Sequence, residues 1–257
     1  MIVTTTNLTD VLTRARYGGW AKGELRNVTL KGLTFKATGD YAALRLPKAS
    51  SVIIDGCAFR GDPENPHGIG VDLPDSQDVV IINSLFEGLE TGIKAVRGNG
   101  LAVDQNEFRR IMGDGVVYSG QADYEITDNL FHDWRAIPGG KHADAIQSLR
   151  PDDRNPPSVG GLIARNTIRV RGAQAIFVPE SIDTVVAENH IQCDMANGIG
   201  GAKSTRLTLR DNRLATLQGA STICRIELRE VVDARFEGVN IAAAYANNKQ
   251  IVYPATR

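Results

Sequence analysis

An eight-residue template recurs nine times along the chain, and a recurrence of that kind restricts the fold more than any bulk property. The copies VTLKGLTF (28–35), VIIDGCAF (52–59), VVIINSLF (79–86), LAVDQNEF (101–108) and YEITDNLF (124–131) carry large or β-branched residues at positions one and three and Phe at position eight. The template continues as GLIARNTI (161–168), TVVAENHI (184–191) and LTLRDNRL (207–214), and weakens in ARFEGVNI (234–241). Position six is Asn in five successive copies, Asn106, Asn129, Asn166, Asn189 and Asn212, at steps of 23, 37, 23 and 23 residues. Short β-rich bursts at this period, without a helical apolar stripe, do not suit a helical repeat. They suit one winding of a strand solenoid.

Between the copies lies a second burst, mostly of the form Gly-(Ile/Val): HGIGVDL (67–73), TGIKAVR (91–97), DGVVYSG (114–120), DAIQSLR (144–150), QAIFVPE (174–180) and NGIGGAK (197–203). Each period therefore holds three short strands, two flanking the Asn turn and one in the second burst. In these features the chain resembles the right-handed parallel β-helix proteins of the pectin-lyase-like superfamily, over roughly residues 25–245. The resemblance implies an all-β fold, a single-stranded right-handed parallel β-helix of about nine coils. At a strand spacing of about 4.8 Å such a rod is about 40 Å long. Inward Phe, Ile, Leu and Val then stack on their counterparts from coil to coil, and the Asn side chains form a hydrogen-bonded ladder at the inner turn. The division expected is an N-terminal cap over 1–24, the β-helix over 25–245 and a C-terminal tail or cap over 246–257. Residues 6–16, with Leu8, Val11, Leu12 and Ala15 at helical spacing behind Thr and Asn, predict a short amphipathic capping helix. Such a plug would cover an open coil, which is otherwise a template for aggregation.

Composition narrows the partners. Lys plus Arg (29) and Asp plus Glu (30) nearly cancel, so no overall basic field gathers nucleic acid, and a charged ligand must be met by a local cluster. The start of the chain has neither a basic n-region with an apolar h-region nor a cleavage signature, so no secretory signal is read there. No stretch reads as a transmembrane span, so no membrane partner is expected. That leaves the location open, and a virion-associated or otherwise exported protein fits it. Cys57, Cys193 and Cys224 are odd in number and far apart, which argues against a disulfide framework or a zinc site and for small buried hydrophobes.

The one long step, 37 residues from Asn129 to Asn166, places HDWRAIPGG (132–140) before a second burst and RPDDRNPPSVG (150–160) after it. A solenoid of nearly constant coils that spends its extra residues on both sides of one strand is building walls around something. That strand is expected to begin His142-Ala-Asp144-Ala-Ile146-Gln147. Aligning the bursts puts Thr91, Asp114, Asp144, Gln174 and Asn197 in one column and Lys94, Val117, Gln147, Phe177 and Gly200 in another. Asp114 and Asp144 on neighbouring coils suit an acid/base pair or a cation site, and His142 exchanges protons near neutral pH. Lys94, Lys141 and Arg150 are candidates for neutralising a sugar carboxylate, and Trp134 for stacking on a sugar ring. Each residue has a plainer role open to it. Asp144 and Asp114 can cap turn amides, His142 can be a solvated loop residue, Lys94 and Arg150 surface charges, and Trp134 a cover for the core edge.

The resemblance implies a polysaccharide-active enzyme, either a lyase or epimerase on an acidic glycan or a glycan hydrolase, with its cleft along one sheet. In β-elimination His142 would be the base, with Asp144 orienting it or holding a cation such as calcium. In hydrolysis Asp114 and Asp144 would be the pair. The chain lacks the Gly-His-Gly and Arg-Ile-Lys motifs of polygalacturonases and the Tyr-x-x-Asp-Pro-His run of alginate epimerases, so no catalytic subfamily is assigned. The alternative is a non-catalytic glycan-binding or structural rod, such as a phage tail-associated protein, for which a homo-trimer would be expected.

Overall fold

A computed structural model of the chain describes residues 1–4, 6–14, 19–134, 143–238 and 240–241. Each template copy folds as two strands about a sharp turn, and each second burst as a third strand, so three stacks of parallel strands build a β-solenoid. The first stack runs from Arg26–Lys31 to Arg235–Glu237, the second from Thr34–Lys36 to Asn240–Ile241, and the third from Trp20–Ala21 to Arg225–Arg229. Among the described residues the second and third stacks have nine such strands, and Ile2–Val3, parallel to Arg26–Lys31, gives the first a tenth.

The turn inside the template follows from its fifth and sixth residues. Position five adopts the left-handed backbone in every copy, with φ between 52° at Asp211 and 61° at Gly32. Six of the nine residues there are not glycine, so the strain has to be held by what surrounds it. The following Asn does this. Each Asn Oδ1 from Asn129 to Asn212 accepts two hydrogen bonds from the Asn one winding earlier, from its backbone N–H and its Nδ2, at 2.9–3.1 Å. The Nδ2 groups also donate to carbonyls of the preceding winding, those of Ile81, Val103, Ile126, Ile163 and Val186, at 2.8–2.9 Å. The ladder continues toward the amino terminus in smaller residues: Asn106 accepts from Ser84 N–H, and Ser84 Oγ from Cys57 N–H.

Position eight stacks the aromatic core. Phe35, Phe59, Phe86, Phe108 and Phe131 lie in register, with ring centroids 4.6–5.2 Å apart and planes within 10° of parallel. This stack explains the small residue that opens each second burst. A Cβ on Gly92 would stand 2.8 Å from the Phe108 ring and 2.5 Å from the Gly115 carbonyl oxygen, and one on Gly115 would stand 2.9 Å from Phe131. Alanine takes that place at Ala145 and Ala175, both fully buried. The three cysteines are free and buried, and burial pushes the Cys57 thiol up to about 11.

Two expectations change. The capping helix of residues 6–16 is a single turn, Leu8–Val11, followed by a strand Thr13–Arg14 that pairs antiparallel with Trp20–Ala21. Asn7 does not cap that turn with its side chain; it accepts from Thr4 N–H and donates to the Ile2 carbonyl instead, which spends its amide on the preceding strand. Val3, Val11 and Leu12 still bury their side chains at this end. Strict alternation in the strand Asp144–Ser148 also fails, because Ala145 and Ile146 are both buried. Asp144, Ala145 and Ile146 are all buried, so Asp144 stays inside at the strand entrance. The tail at 246–257 lies outside the described residues.

Candidate functional site

The register of the third stack decides which residues are neighbours across windings. Lys94, Val117, Gln147, Phe177 and Gly200 are aligned, on the face opposite the inward Ile93, Val116, Ile146, Ile176 and Ile199. Asp72 precedes Lys94 in this column and Glu227 follows Gly200. A second column forms at the strand entrances. The Gly115 N–H donates to the Asp144 carbonyl, Asp144 is in register with Gln174, and Gln174 Oε1 accepts from Asn197 Nδ2 at 2.8 Å.

Asp114 and Asp144 meet in this column. The Asp144 backbone N–H donates to Asp114 Oδ1 at 3.0 Å, so the Asp114 carboxylate reaches the next winding. Asp144 is the first residue of its strand and is 0% exposed, whereas Asp114 is partly open to solvent. His142 and Lys141 lie outside the described residues, together with 135–140. Among the described residues there is no group of three or more His, Cys, Asp or Glu arranged to hold a metal ion.

The remaining candidates are spread around this pair. Trp134 is 7% exposed, donates from Nε1 to the Gly113 carbonyl at 3.1 Å and packs on Phe131 with centroids 6.3 Å apart. Its ring closes the edge of the core, and its remaining edge lines a pocket described below. Gln147 is partly buried beside Phe177 in register. Lys94 sits two and three windings before these residues. Arg150 is exposed and reaches 3.9 Å from Glu180. The second inserted segment is tied down: Asp152 Oδ1 accepts from the N–H groups of Arg154 and Asn155, and Asn155 Oδ1 accepts from Arg97. Pro156 covers Gly120. That segment therefore folds back over earlier windings at the far end of the third stack.

Two open pockets flank the turn that leads from the second stack into the third. One, of about 540 Å³, is lined by Asp40, Pro66, His67, Glu90, Met112 and Gly113 among others. These residues come from four consecutive windings, and the pocket ends at Gly113, the residue before Asp114. The other, of about 410 Å³, is lined by His132, Asp133, Trp134, Arg169, Arg171 and Leu217. Neither was legible in the sequence, since His67 and His132 gain nothing from the repeat. Phe177 was also overlooked. It is the one Phe in a second burst, and its ring lies so close over Gly200 that a Cβ there would stand 2.7 Å from it.

Residues 8–140, just over half of the chain, match the family described as right handed beta helix region. The chain belongs to that family. A search of curated proteins by sequence finds no match. Among solved structures this β-helix protein is similar to PfbA, a surface adhesin of Streptococcus pneumoniae, at 18% identity and a TM-score of 0.62, covering 86% of this chain and 63% of that one. It is also similar to the enzymatically active domain of bacteriophage CBA120 tailspike protein 2, at 14% identity and a TM-score of 0.59, covering 91% of this chain and 37% of that one. A DFA-IIIase from Arthrobacter chlorophenolicus is 14% identical with a TM-score of 0.56, covering 79% of this chain and 61% of that one. The chain thus spans less than two thirds of each of these structures. At such identities the likeness shows the shared β-helix.

Proposed function

We propose that this β-helix protein is a polysaccharide-active enzyme that cleaves a glycan lying along the turns before the third stack. One observation carries the reading: the 540 Å³ pocket runs along four successive windings and ends at Gly113, the residue before Asp114, whose carboxylate bonds Asp144 on the next winding. Four windings at about 4.8 Å span roughly 15 Å, a length that suits a chain-like ligand better than a single small molecule. At its end two carboxyl groups from neighbouring windings supply what glycoside hydrolysis needs, one to protonate the leaving oxygen and one to take a proton from water. His142, two residues before Asp144 in the sequence, is the further proton-transfer candidate. Phe177 offers an aromatic surface beside Gln147 and Gln174, the pairing of a ring with amides that suits sugar recognition.

A non-catalytic glycan-binding rod is the second reading, and the complete burial of Asp144 favours it. Incubation with a panel of anionic and neutral polysaccharides, with and without a chelator, separates the two. Reducing ends without unsaturated-sugar absorbance identify a hydrolase, absorbance identifies a lyase, and retained binding with neither identifies a rod. Asp114→Asn, Asp144→Asn and His142→Ala are each expected to lower turnover by at least about 100-fold. Full activity in all three removes this site.

A further inference from the structure

The 410 Å³ pocket has Trp134 in its lining, and the Trp134 indole bonds the Gly113 carbonyl, next to Asp114, which ties this pocket to the winding of the Asp pair. Its charge is set by the second stack. There the residue after the core position reads Lys36, Arg60, Glu87, Arg109, His132 in register, with Arg169 following. Along this basic column Glu87 takes up Arg60 and Arg109. His132 is held by Glu107 at 3.0 Å. Asp133, the acid in the pocket lining, is engaged by Arg110 at 3.1 Å. Arg171 is fixed by the Gln218 carbonyl at 3.2 Å and by Asp194 at 3.5 Å. Arg169 is exposed, and its guanidinium has no hydrogen bond or ion pair to another described residue.

A free guanidinium beside a fixed one, in a pocket walled by an indole and a leucine, fits an anion carried on a ring of carbon atoms. We infer that this pocket binds the anionic group of an acidic sugar, a carboxylate or a sulfate, and so makes the glycan an acidic one. The inference rests on the glycan reading above and specifies its substrate class. Near-neutral overall charge leaves such a ligand dependent on a local cluster, and Arg169, Arg171 and His132 around this pocket form one.

Affinity electrophoresis tests the inference, with gels containing polygalacturonate, dextran sulfate or uncharged dextran. The protein is expected to be retarded by at least one of the charged polymers and not by dextran. Arg169→Glu, a change at an exposed position, is expected to weaken that retardation at least tenfold, and Arg169→Gln to weaken it less. Lys22→Glu, a comparable charge reversal at an exposed position outside this pocket's lining, is expected to bind as the parent does, which separates loss of this site from loss of overall positive charge. The polygalacturonate and dextran sulfate arms distinguish carboxylate from sulfate. Equal retardation by dextran, no retardation by either charged polymer, or unchanged retardation of Arg169→Glu overturns the inference. Cleavage of a neutral glycan would then still leave the Asp114–Asp144 reading standing.

Discussion

At Asn189 a single side chain joins three windings. Its Oδ1 accepts the N–H and Nδ2 of Asn166, while its Nδ2 donates to Asn212 Oδ1 and to the Ile163 carbonyl. All of these groups are buried, so Asn189→Leu removes their partners where water cannot replace them. Stability is expected to fall by about 3 kcal/mol, since each unsatisfied buried group costs roughly 1–3 kcal/mol and neighbouring losses do not add fully. Chemical denaturation with a two-state fit measures it, and an unchanged midpoint would mean that the ladder is incidental to folding. Asn189→Asp keeps the acceptor toward Asn166 but turns a second carboxylate oxygen onto two acceptors, the Ile163 carbonyl and Asn212 Oδ1, and is expected to destabilise at least as much. The ladder also shows how local strain is tolerated. Glu188, with φ of 56°, holds a left-handed backbone because Asn189 fixes the next residue on both sides. The same sequence position was legible as a recurring Asn, and its bonding followed from the spacing of windings. The adjacency of Asp114 and Asp144 was legible in the same way, from aligning the second bursts, whereas the burial of Ala145 and Ile146 side by side in one strand was not.

The second burst shows what the strand pattern conveys and what it hides. Its Gly-(Ile/Val) start was readable as a repeat, but the reason for the glycine lies in another strand, in the Phe column that stands against it. Gly92→Val places a branched side chain at 2.8 Å from Phe108 and 2.5 Å from the Gly115 carbonyl, a backbone atom that cannot rotate away. Such overpacking is expected to cost about 1–3 kcal/mol or more, whereas Ala145→Gly, where the smaller residue leaves a methyl-sized gap, is expected to cost about 1 kcal/mol. Thermal unfolding of the two variants checks the order, and a Gly92→Val protein as stable as its parent would show that the two stacks do not press on one another. The three strands of each winding were legible because apolar periodicity is local. The pockets were not, since each gathers single turn residues from successive windings, such as Asp40, His67, Glu90 and Gly113, that share no pattern. The capping helix was misjudged for a related reason. Leu8, Val11 and Leu12 have helical spacing, yet the chain gains more by pairing Thr13–Arg14 with Trp20–Ala21 after one turn.

Over the whole rod, charge pairs link winding to winding on the surface, and they make its stability depend on pH in one direction. Lys31–Asp55, Arg97–Asp75 and Arg206–Asp183 each join residues one coil apart, and Glu227 is held by Arg229 and Arg225. Hydrogen bonds from the partner hold these carboxyls below their ordinary values: Asn83 and Lys31 at Asp55, Arg97 at Asp75, Arg206 at Asp183, and Arg229 then Arg225 at Glu227. Backbone N–H of Arg154 does the same at Asp152. A carboxyl whose folded pKa is lowered binds its proton more readily when unfolded, so its contribution is complete above the unfolded value, near about pH 4, and is lost as pH falls through the lower folded value. Because the pairs lie at the surface, with each Lys or Arg partner open to solvent, water and salt screen them and single contributions are small. Their number along one continuous solenoid makes them add, since each winding is stabilised chiefly by its neighbours. The melting temperature is therefore expected to change little from about pH 8 to about pH 5 on account of these pairs and to drop steadily from about pH 4 to about pH 2. Salt at about 1 M is expected to flatten that drop, because the Debye length shrinks to about 3 Å. Circular dichroism melts across this series decide the matter: equal melting temperatures at about pH 6 and about pH 2.5 would mean that the inter-winding pairs hold nothing together, and the solenoid stands on its Asn ladder and Phe stack alone.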